Sequence, residues 1–390
     1  MTKKLKIGFF VDTFYPMVDG VIAVIDNYAK RLCKFCDVTV FCPTGREKID
    51  DKKFPYKVVR CTKKFPLKFL DYDAPMPKKD KIFLEELEKT ELDIVHIHSP
   101  FAIGKIGVKY AKEHNVPIVS TMHSQYKQDF KKAVKLNFIT NIMLKKIMKV
   151  FNSSERIWTV NDGCVKLFKQ YGIKVPISIQ SNATDMVFLD TPKEQLRKEF
   201  DVKDNQKVFL FVGRLISLKN IFFIVKILNI LNKNNFDFKM FFVGSGPDEN
   251  KLKKYIKKYD LTEKVIITGK ITDREEIKKY YKCADLFLFP SKYDTNSLVQ
   301  IEAASQKTPT LFLKDTITAS TVKPDYNGYV CENNALSFAQ KIIEIFDDKK
   351  EYNKVCENAF KSLYITWDDV VKSVYNGYQE IIAEYNKKQS

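Results

Sequence analysis

The sequence has no long uninterrupted apolar run. The best candidate, residues 221–231, is broken by Lys226 and Asn229 and is shorter than the ~20 residues that a membrane-spanning helix needs. The apolar segment near the start, residues 7–11, is too short for the core of a signal peptide, so we expect a cytoplasmic protein. Glycine is also scarce, at 13 of 390 residues, which excludes collagen-like and low-complexity architectures.

Cysteine is sparse as well. The 8 cysteines are scattered through the chain without the dense spacing of a secreted disulfide scaffold. Cys33 and Cys36 form a C-x-x-C motif, but no second cysteine pair lies at zinc-site spacing. The neighbouring Ala29, Leu32 and Phe35 fit the end of an amphipathic helix, so we favour a structural role for this pair over a metal or redox role.

Acidic residues are too few to balance the basic ones. The chain has 66 Lys and Arg against 48 Asp and Glu, a formal net charge of +18. The excess is concentrated in residues 1–180, whose net charge is +14, whereas residues 181–390 carry +4. This asymmetry indicates that the first half faces an anionic partner, either a membrane leaflet or a nucleic acid. A generally lysine-rich proteome also explains part of it.

The sequence does contain a repeated alternation of short apolar strands and amphipathic helices. Apolar residues make up 45% of the chain, which is enough for two domain cores. Two series of strands are predicted, separated by a polar break near residues 181–206. The predicted strands are 6–11, 38–42, 94–98, 118–121, 157–160, 208–212, 239–243, 265–268, 286–289 and 310–313. Apolar strands that alternate with helices are typical of parallel sheets covered on both faces.

This alternation predicts an α/β fold of two doubly wound, Rossmann-like domains that face each other across a cleft. We place the first domain at residues 1–181 and the second at residues 182–365. The segment 366–388 has a helical pattern with no strand after it, and we expect it to pack back on the first domain. Open parallel sheets bind ligands at the carboxyl ends of their strands, so the loops there are the place to look for a site.

Two loops of the first domain carry candidate site residues. Asp19 and Gly20 lie at the start of a predicted helix, where glycine can take a positive φ and the helix N-terminus favours an anion. The alternative is an ordinary strand-to-helix turn. His123 directly follows a predicted buried strand, which places it where it can bond a substrate hydroxyl.

No metal site is predicted from the sequence. His96 and His98 project from one face of a strand, but no third ligand lies nearby, which favours a cleft-lining or structural role. Asp71 and Asp73 form a D-x-D motif like the one that chelates a metal-nucleotide in some transferases. They precede Ala-Pro-Met-Pro instead of ending a strand, so we interpret them as part of a loop.

Basic residues and glycines follow two strands of the second domain. Arg214 supplies a bidentate fork and Lys219 a point charge near a helix N-terminus, a combination that suits a diphosphate. Gly244 and Gly246 allow a tight turn with close backbone approach. They do not complete a dinucleotide-binding fingerprint.

Two carboxylates, Asp294 and Glu302, lie eight residues apart around a predicted helix start. The intervening amides of Asn296, Ser297 and Leu298 would form an anion-binding helix N-terminus. This arrangement could hold a sugar hydroxyl, a diphosphate and a ribose in turn. The alternative is a helix-capping Asp and a solvated Glu, but the apolar run around Glu302 argues against solvation.

Together these motifs resemble the group 1 glycosyltransferases (family 4), which are retaining enzymes with the GT-B fold. The similarity covers nearly the whole chain, and its most specific element is the stretch from Asp294 to Glu302. The other matching segments are Phe-Val-Asp-Thr-Phe-Tyr-Pro, His-Ile-His-Ser-Pro-Phe, Thr-Met-His-Ser-Gln-Tyr, Gly-Arg-Leu with Lys-Asn, and Gly-Ser-Gly-Pro.

The resemblance implies how a nucleotide-sugar donor is bound. Arg214 and Lys219 would hold the donor diphosphate, and Glu302 would hold the ribose. Gly20 would approach the diphosphate from the opposite domain. The helix start formed by Asn296, Ser297 and Leu298 would complete the donor site, and no metal or other cofactor is expected.

The resemblance also implies which residues act on the sugar. Asp294 takes the position that contacts donor-sugar hydroxyls, and His123 would sit beside the donor sugar; these two are the catalytic candidates. The chain departs from the family pattern at Asp294, where Glu is usual, at Asn296 and Ser297, which replace a common Gly-containing pair, and at Lys307, where Gly is usual. Residues 182–185 also differ from the more common Asn-Gly-x-Asp. Lys307 is expected to adopt a backbone conformation that is uncomfortable for a non-glycine residue.

Residues 65–77 and 123–130 look like segments of the diacylglycerol glucosyltransferases that make membrane glycolipids. Residues 127–149 contain seven lysines against one acid, Asp129, interleaved with apolar side chains such as Phe138 and Ile142. They could form a basic, amphipathic surface that faces a membrane. The alternative is a solvated lysine face on a helix whose apolar stripe lies in the core.

We therefore expect an enzyme that lies peripherally on the inner face of the cell membrane. It would transfer a hexose from a nucleoside-diphosphate sugar, such as UDP-glucose, to a lipid or lipid-linked acceptor. A transferase that acts on capsule or cell-wall polysaccharide is the second enzyme interpretation. A basic nucleic-acid-binding protein is the alternative from another class, but no RNA-binding module signature is present, so no nucleic-acid partner is expected.

Overall fold

The chain folds into two compact units, each built around its own parallel sheet. The first unit comprises Met1–Asn182 and Trp367–Ser390, and the second comprises Ala183–Thr366. These two sheets confirm the predicted α/β fold of two Rossmann-like domains. The computed structural model describes residues 4–17, 19–67, 73–134, 136–295 and 297–389.

The described part of the first unit contains a seven-stranded parallel sheet and a small antiparallel pair. Its strands are β1 (Lys6–Phe10), β2 (Asp37–Pro43), β3 (Lys57–Cys61), β4 (Lys64–Phe65), β5 (Ala74–Pro75), β6 (Ile94–Ile97), β7 (Ile118–Thr121), β8 (Arg156–Thr159) and β9 (Ile177–Ile179). The parallel sheet has the order β3-β2-β1-β6-β7-β8-β9. The winding reverses between β1 and β6, so the loops at the carboxyl ends of these two strands are the expected ligand position.

The helices of this unit alternate with the strands. They are α1 (Gly20–Leu32), α2 (Lys81–Glu88), α3 (Ala102–Glu113), α4 (Tyr126–Val134), α5 (Asn137–Phe151) and α6 (Asp162–Gln170). Helix α1 begins at Gly20 because the Asp19 carboxylate accepts a hydrogen bond of 2.8 Å from the backbone N–H of Ile22. Gly20 is not among the glycines with positive φ, so the left-handed conformation that glycine allows is not adopted at this position.

The second unit repeats the same plan. Its strands are β10 (Lys207–Val212), β11 (Phe238–Val243), β12 (Val265–Gly269), β13 (Leu286–Phe289), β14 (Thr310–Leu313) and β15 (Tyr329–Cys331), in the order β12-β11-β10-β13-β14-β15. Its helices are α7 (Lys193–Glu199), α8 (Ile221–Lys233), α9 (Glu249–Lys258), α10 (Arg274–Cys283), α11 (Leu298–Ser305), α12 (Ala335–Asp347) and α13 (Lys349–Leu363). Here the winding reverses between β10 and β13, which marks the second expected ligand position.

The last helix, α14 (Trp367–Gln389), packs on the first unit. Asp368 accepts a hydrogen bond of 2.8 Å from Arg31 on α1. Further along, the hydroxyl of Tyr378 lies 2.7 Å from Nδ1 of His96 on β6. The buried ring of Trp158 packs against Tyr378 with 5.1 Å between ring centroids. These contacts connect α14 to both α1 and the central sheet.

Two further features of the fold bear on function. Cys33 and Cys36 are free thiols just past the last residue of α1. Among the residues that the structure describes, no helix has the length and apolar character to cross a bilayer.

Candidate active site

In the second unit, the loops that follow β10 and β13 meet at the reversal point of the sheet. The ammonium group of Lys219 pairs with the carboxylate of Asp294. Next to it, the side-chain amide of Asn220 donates to the backbone carbonyl of Pro290 at 3.2 Å. These two contacts bring a basic and an acidic residue, 75 positions apart in the chain, into one cluster.

The glycines of this region hold two loops together. A Cβ atom on Gly244 would lie 2.0 Å from the carbonyl oxygen of Gly213, and one on Gly246 would lie 2.4 Å from that of Leu215. Gly244 also has φ +142, which side chains rarely adopt. The close backbone approach predicted at these glycines is therefore between the loop that follows β11 and the loop that follows β10. Arg214 lies in this paired segment and is exposed.

Helix α11 begins directly after Asp294, with Ser297 as its N-cap residue and Leu298 as its first residue. The first N–H groups of a helix have no partner within the helix and carry its positive dipole end. Asn296, the third member of the predicted amide cluster, lies outside the described residues. The helix start itself lies where the sequence predicts it.

The second carboxylate, Glu302, is buried on α11 and is 7% exposed. Oε1 of Glu302 accepts a hydrogen bond of 2.6 Å from Arg274, and Oε2 accepts one of 2.8 Å from the hydroxyl of Tyr281. Both donors lie on α10. Arg274 and Tyr281 could not be found from the sequence, because no motif links α10 to the stretch from Asp294 to Glu302.

Lys307, where the family usually has Gly, adopts the unfavourable backbone conformation that the sequence predicts. Lys307 follows the end of α11 and has φ 61, in the left-handed region. Its ammonium group pairs with Glu357 on α13 at 2.6 Å. Lys307 thus makes an ion pair with α13 from a backbone conformation that glycine would adopt at a lower free-energy cost.

In the first unit, a cavity of about 370 Å³ lies at the carboxyl ends of β1, β6 and β7. Most of its wall is apolar, with polar groups from a few side chains. Its lining includes Val21, Phe101, Tyr126, His98, His123 and Asp19. Gly20 lies between two of the lining residues, and a Cβ atom there would meet nothing within 4 Å. Packing therefore gives no reason for a glycine at this position.

Asp12 is a buried carboxylate in the wall of this cavity. Its carboxylate accepts backbone hydrogen bonds from Phe101, Ile103 and Gly104 at 2.7–3.4 Å and one of 2.9 Å from the hydroxyl of Ser99. Burial raises the pKa of the Asp12 carboxyl, while these hydrogen bonds act in the opposite direction. Asp12 thus anchors the N-terminus of α3, a role that was not predicted.

Three histidines of this unit carry neutral rings: His96 and His98 are buried, and His123 is half-buried. His96 is held at both nitrogens, by the Tyr378 hydroxyl and by Thr121, each at 2.7 Å. Burial lowers the pKa of His96 and His98 well below the usual value, and lowers that of His123 to about 4. Because both nitrogens of His96 have other partners, the structure gives no support for a metal held by His96 and His98.

The remaining candidates for metal binding are also occupied otherwise. Asp73 pairs with Arg46 and Lys64, each at 3.0 Å, and Asp71 lies outside the described residues. Among the described residues, no group of three or more His, Cys, Asp or Glu is placed to hold a metal ion.

Helices α4 and α5 present a surface of basic and apolar residues, which we call the α4–α5 surface. Phe138 is 76% exposed and Leu136 is 59% exposed, and Ile139 and Ile142 are also exposed. The exposed lysines beside them are Lys131, Lys132, Lys145, Lys146 and Lys149. Ile147 and Phe151 are instead buried, so the predicted apolar stripe divides between the core and the surface. Lys135 lies outside the described residues.

Comparison with protein families assigns both halves of the chain. The description "Glycosyl transferases group 1" matches residues 192–362, and "Glycosyltransferase Family 4" matches residues 18–188. The first match falls within the second unit, and the second match covers most of the first unit and extends to residue 188, just past the boundary at Asn182.

Individual proteins extend this similarity over the whole chain. The alpha-monoglucosyldiacylglycerol synthase of Acholeplasma laidlawii is 24% identical over 98% of this chain and 99% of its own. The synthase of the same name from Streptococcus pneumoniae is 26% identical over 79% of this chain and 70% of its own. Among solved structures, Anabaena HepE in complex with UDP has a TM-score of 0.76 at 14% identity, covering 97% of this chain and 100% of its own.

Proposed function

The chain belongs to the group 1 glycosyltransferases, with the GT-B fold, and we propose that it transfers glucose from UDP-glucose to diacylglycerol with retention of configuration. The observation that carries this proposal is the full-length similarity to an alpha-monoglucosyldiacylglycerol synthase. Nucleoside-diphosphate glucose donors are α-linked at the anomeric carbon, so an α-linked product corresponds to retention.

The second unit would bind the donor. Arg214, Lys219 and the N-terminus of α11 supply the positive charge and N–H groups that a diphosphate needs. Glu302 would accept hydrogen bonds from the ribose hydroxyls, with Arg274 and Tyr281 holding its carboxylate in place. The solved complex of Anabaena HepE with UDP supports a uridine nucleotide for a chain of this fold. Arg214, Lys219 and the N-terminus of α11 would balance the negative charge of the diphosphate, so no metal would be required.

The first unit would bind the acceptor in its 370 Å³ cavity. The cavity has the volume of a typical small-molecule site and combines apolar walls with a few polar groups. The glycerol end of a diacylglycerol has the same character, with one hydroxyl and apolar chains. His123, which lines the cavity, would contact the reacting groups, and Asp294 would contact the donor sugar.

The α4–α5 surface would bring the enzyme to a membrane that contains this acceptor. Lysines near an anionic leaflet contribute about 1 kcal/mol each, and exposed Phe138 and Leu136 can enter the interfacial region. This surface belongs to the same unit as the cavity, so one domain would both contact the membrane and bind the acceptor.

A transfer assay tests the proposal. The purified chain is incubated with labelled UDP-glucose, UDP-galactose or GDP-mannose and with vesicles that contain either diacylglycerol or a lipid-linked saccharide. We expect labelled glycolipid from UDP-glucose and diacylglycerol, and none from the Glu302→Gln variant. If product forms only on the lipid-linked saccharide, the proposed diacylglycerol acceptor is wrong and the polysaccharide interpretation is favoured.

A further inference from the structure

A stack of three histidine rings lies at the carboxyl ends of β6 and β7. The ring centroids of His96 and His98 are 3.9 Å apart, and His98 stacks on His123 at 5.4 Å with 16° between the ring planes. The edge of Phe9 packs against His98 at 5.1 Å. His98 is 1% exposed, so close packing holds its ring in a single orientation.

His98 makes a polar contact to His123. Nδ1 of His98 lies 3.1 Å from Nε2 of His123. The other nitrogen of His98, Nε2, is buried and has no hydrogen-bond partner among the described residues. Burial lowers the pKa of both rings, so both are neutral near pH 7. A hydrogen bond between two neutral imidazoles needs one N–H and one bare nitrogen.

The buried Nε2 of His98 decides which ring donates. If His123 donated, His98 would carry its proton on Nε2, as a buried N–H without an acceptor. Leaving a buried donor unsatisfied costs about 1–3 kcal/mol. Orphaned buried N–H groups are also rarer than buried acceptors with spare capacity. Nδ1 of His98 is therefore the donor, and Nε2 of His123 is the acceptor.

We propose that His98 is a positioning residue that fixes His123 as the Nδ1–H tautomer, so that His123 serves sugar transfer as a hydrogen-bond donor and not as a base. The role in transfer rests on the proposed function, whereas the tautomer does not. Nε2 of His123 already accepts from His98, and Nδ1 carries the proton. His123 therefore cannot take a proton from an attacking hydroxyl unless its bond to His98 is broken.

The tautomer can be read by nuclear magnetic resonance. The chain has only 4 histidines, so ¹⁵N-histidine labelling gives a spectrum that single substitutions can assign. Protonated and bare ring nitrogens have well-separated ¹⁵N shifts. We expect His98 and His123 both to be protonated on Nδ1 and bare on Nε2. A His123 ring protonated on Nε2 would overturn the proposal.

Substitutions at His98 test the positioning role. Asn places an amide near the position of Nδ1 and can still donate, whereas Leu cannot. We expect His98→Asn to keep kcat within about threefold and His98→Leu to lose at least about tenfold in kcat, with little change in KM for UDP-glucose. His114→Asn, a change at an exposed histidine paired with Glu88, is the matched control and should have no effect.

A double-mutant cycle separates positioning from general damage. If His98 acts through His123, adding His98→Leu to His123→Asn lowers kcat no further than His123→Asn alone. Losses in kcat that add up in the double variant would contradict the proposal. So would a His98→Leu variant that keeps the wild-type kcat and shows an unchanged ¹⁵N signal for His123. Should no diacylglycerol transfer occur at all, the proposed function fails, and the tautomer is still decided by the spectrum.

Discussion

Lys219 pairs with Asp294 at the point where the loops after β10 and β13 meet. A diphosphate that binds there must compete with this carboxylate for the ammonium group. Arg214, by contrast, is exposed on the neighbouring loop. The cationic side of the proposed donor site thus combines Lys219, which is paired with a carboxylate, and Arg214, which is exposed to solvent.

We expect Lys219→Ala and Arg214→Ala each to weaken UDP binding about tenfold or more, because charge-assisted hydrogen bonds contribute about 1.5–3 kcal/mol. Isothermal titration calorimetry with UDP measures this directly. Lys226→Ala, which removes an exposed lysine from α8, is the matched control. If Lys219→Ala and Arg214→Ala both keep the UDP affinity of the wild type, the diphosphate does not bind at this position.

Asp294→Asn should separate nucleotide binding from sugar chemistry. The substitution removes the charge that competes for Lys219, so UDP affinity should stay the same or rise. Turnover should fall, since Asp294 would contact the donor sugar. Calorimetry and a transfer assay on the same preparation give both values. A parallel loss of UDP affinity and turnover would contradict this division of roles.

Glu302→Gln keeps the shape of the side chain and leaves an oxygen to accept from Tyr281, so the second unit should remain folded. It removes the charge partner of Arg274 and the ionised group that would accept hydrogen bonds from the ribose hydroxyls. We expect turnover to fall at least about tenfold. Glu276→Gln, on the same helix as Arg274, is the control. Near-normal turnover in the folded Glu302 variant would make this carboxylate purely structural.

At the scale of helices, the α4–α5 surface differs from other basic surfaces of the chain by its exposed apolar residues. Helix α13 offers a comparison, because it carries exposed Lys349 and Lys350 and, over its fully described length, no exposed large apolar side chain. A membrane-binding surface needs both charge and apolar area, whereas a solvated face needs only charge.

We therefore expect Lys131→Glu with Lys132→Glu to abolish sedimentation with anionic vesicles, because each lysine contributes up to about 1 kcal/mol near such a surface. Phe138→Ser should weaken sedimentation while leaving its salt dependence in place. The matched control is Lys349→Glu with Lys350→Glu, the same charge change on α13. If both double variants sediment equally well, the α4–α5 lysines are a solvated face.

The end of α11 provides a stability test. Lys307→Gln removes the ion pair with Glu357 but keeps a Cβ atom at φ 61, whereas Lys307→Gly removes both. We expect the Gly variant to be more stable than the Gln variant by about 1 kcal/mol, the cost of a left-handed non-glycine residue. Urea unfolding of the two variants measures this difference. Equal stabilities would mean that the backbone conformation carries no cost here.

Buried strands and helix starts could be predicted from the sequence because their patterns are local. Residues 118–121, 286–289 and 310–313 are strands with the predicted bounds, and α11 starts at Ser297 and Leu298, as predicted. The strands β3, β9 and β15 were missed, since they lie at sheet edges and do not form continuous buried apolar runs.

The candidate site was predictable to a lesser extent. Charged residues in motifs, such as Lys219 and Glu302, could be found from their spacing. The partners of Glu302 could not, because Arg274 and Tyr281 lie on α10, a helix that carries no motif and reaches the site only through tertiary packing. The division of α5 into buried Ile147 and exposed Phe138 also depends on what the rest of the unit covers.

At the scale of the whole molecule, neutral buried histidines make the first unit sensitive to acid. The pKa of His123 is about 4 in the folded chain against about 6.5 in an unfolded one. Between these values the unfolded state binds a proton that the folded state does not, so stability falls as the pH drops below 6.5. His96 and His98 act in the same direction.

We expect the stability of the first unit to fall between pH 7.5 and pH 5.5, by up to about 1.4 kcal/mol per pH unit for each buried histidine. Both tryptophans of the chain, Trp158 and Trp367, are buried in this unit, so their fluorescence during urea unfolding reports on it. His123→Asn should show a shallower pH dependence, and His114→Asn should match the wild type. A wild-type slope in the His123 variant would contradict this account.

The most direct test of the central claim is the proton spectrum of the purified lipid product from UDP-glucose and diacylglycerol. The account predicts one glucose per diacylglycerol, released with one UDP, and an anomeric proton with the small coupling constant of an α-linked glucoside. A β-linked product, or consumption of UDP-glucose without any glucosylated diacylglycerol, would contradict it.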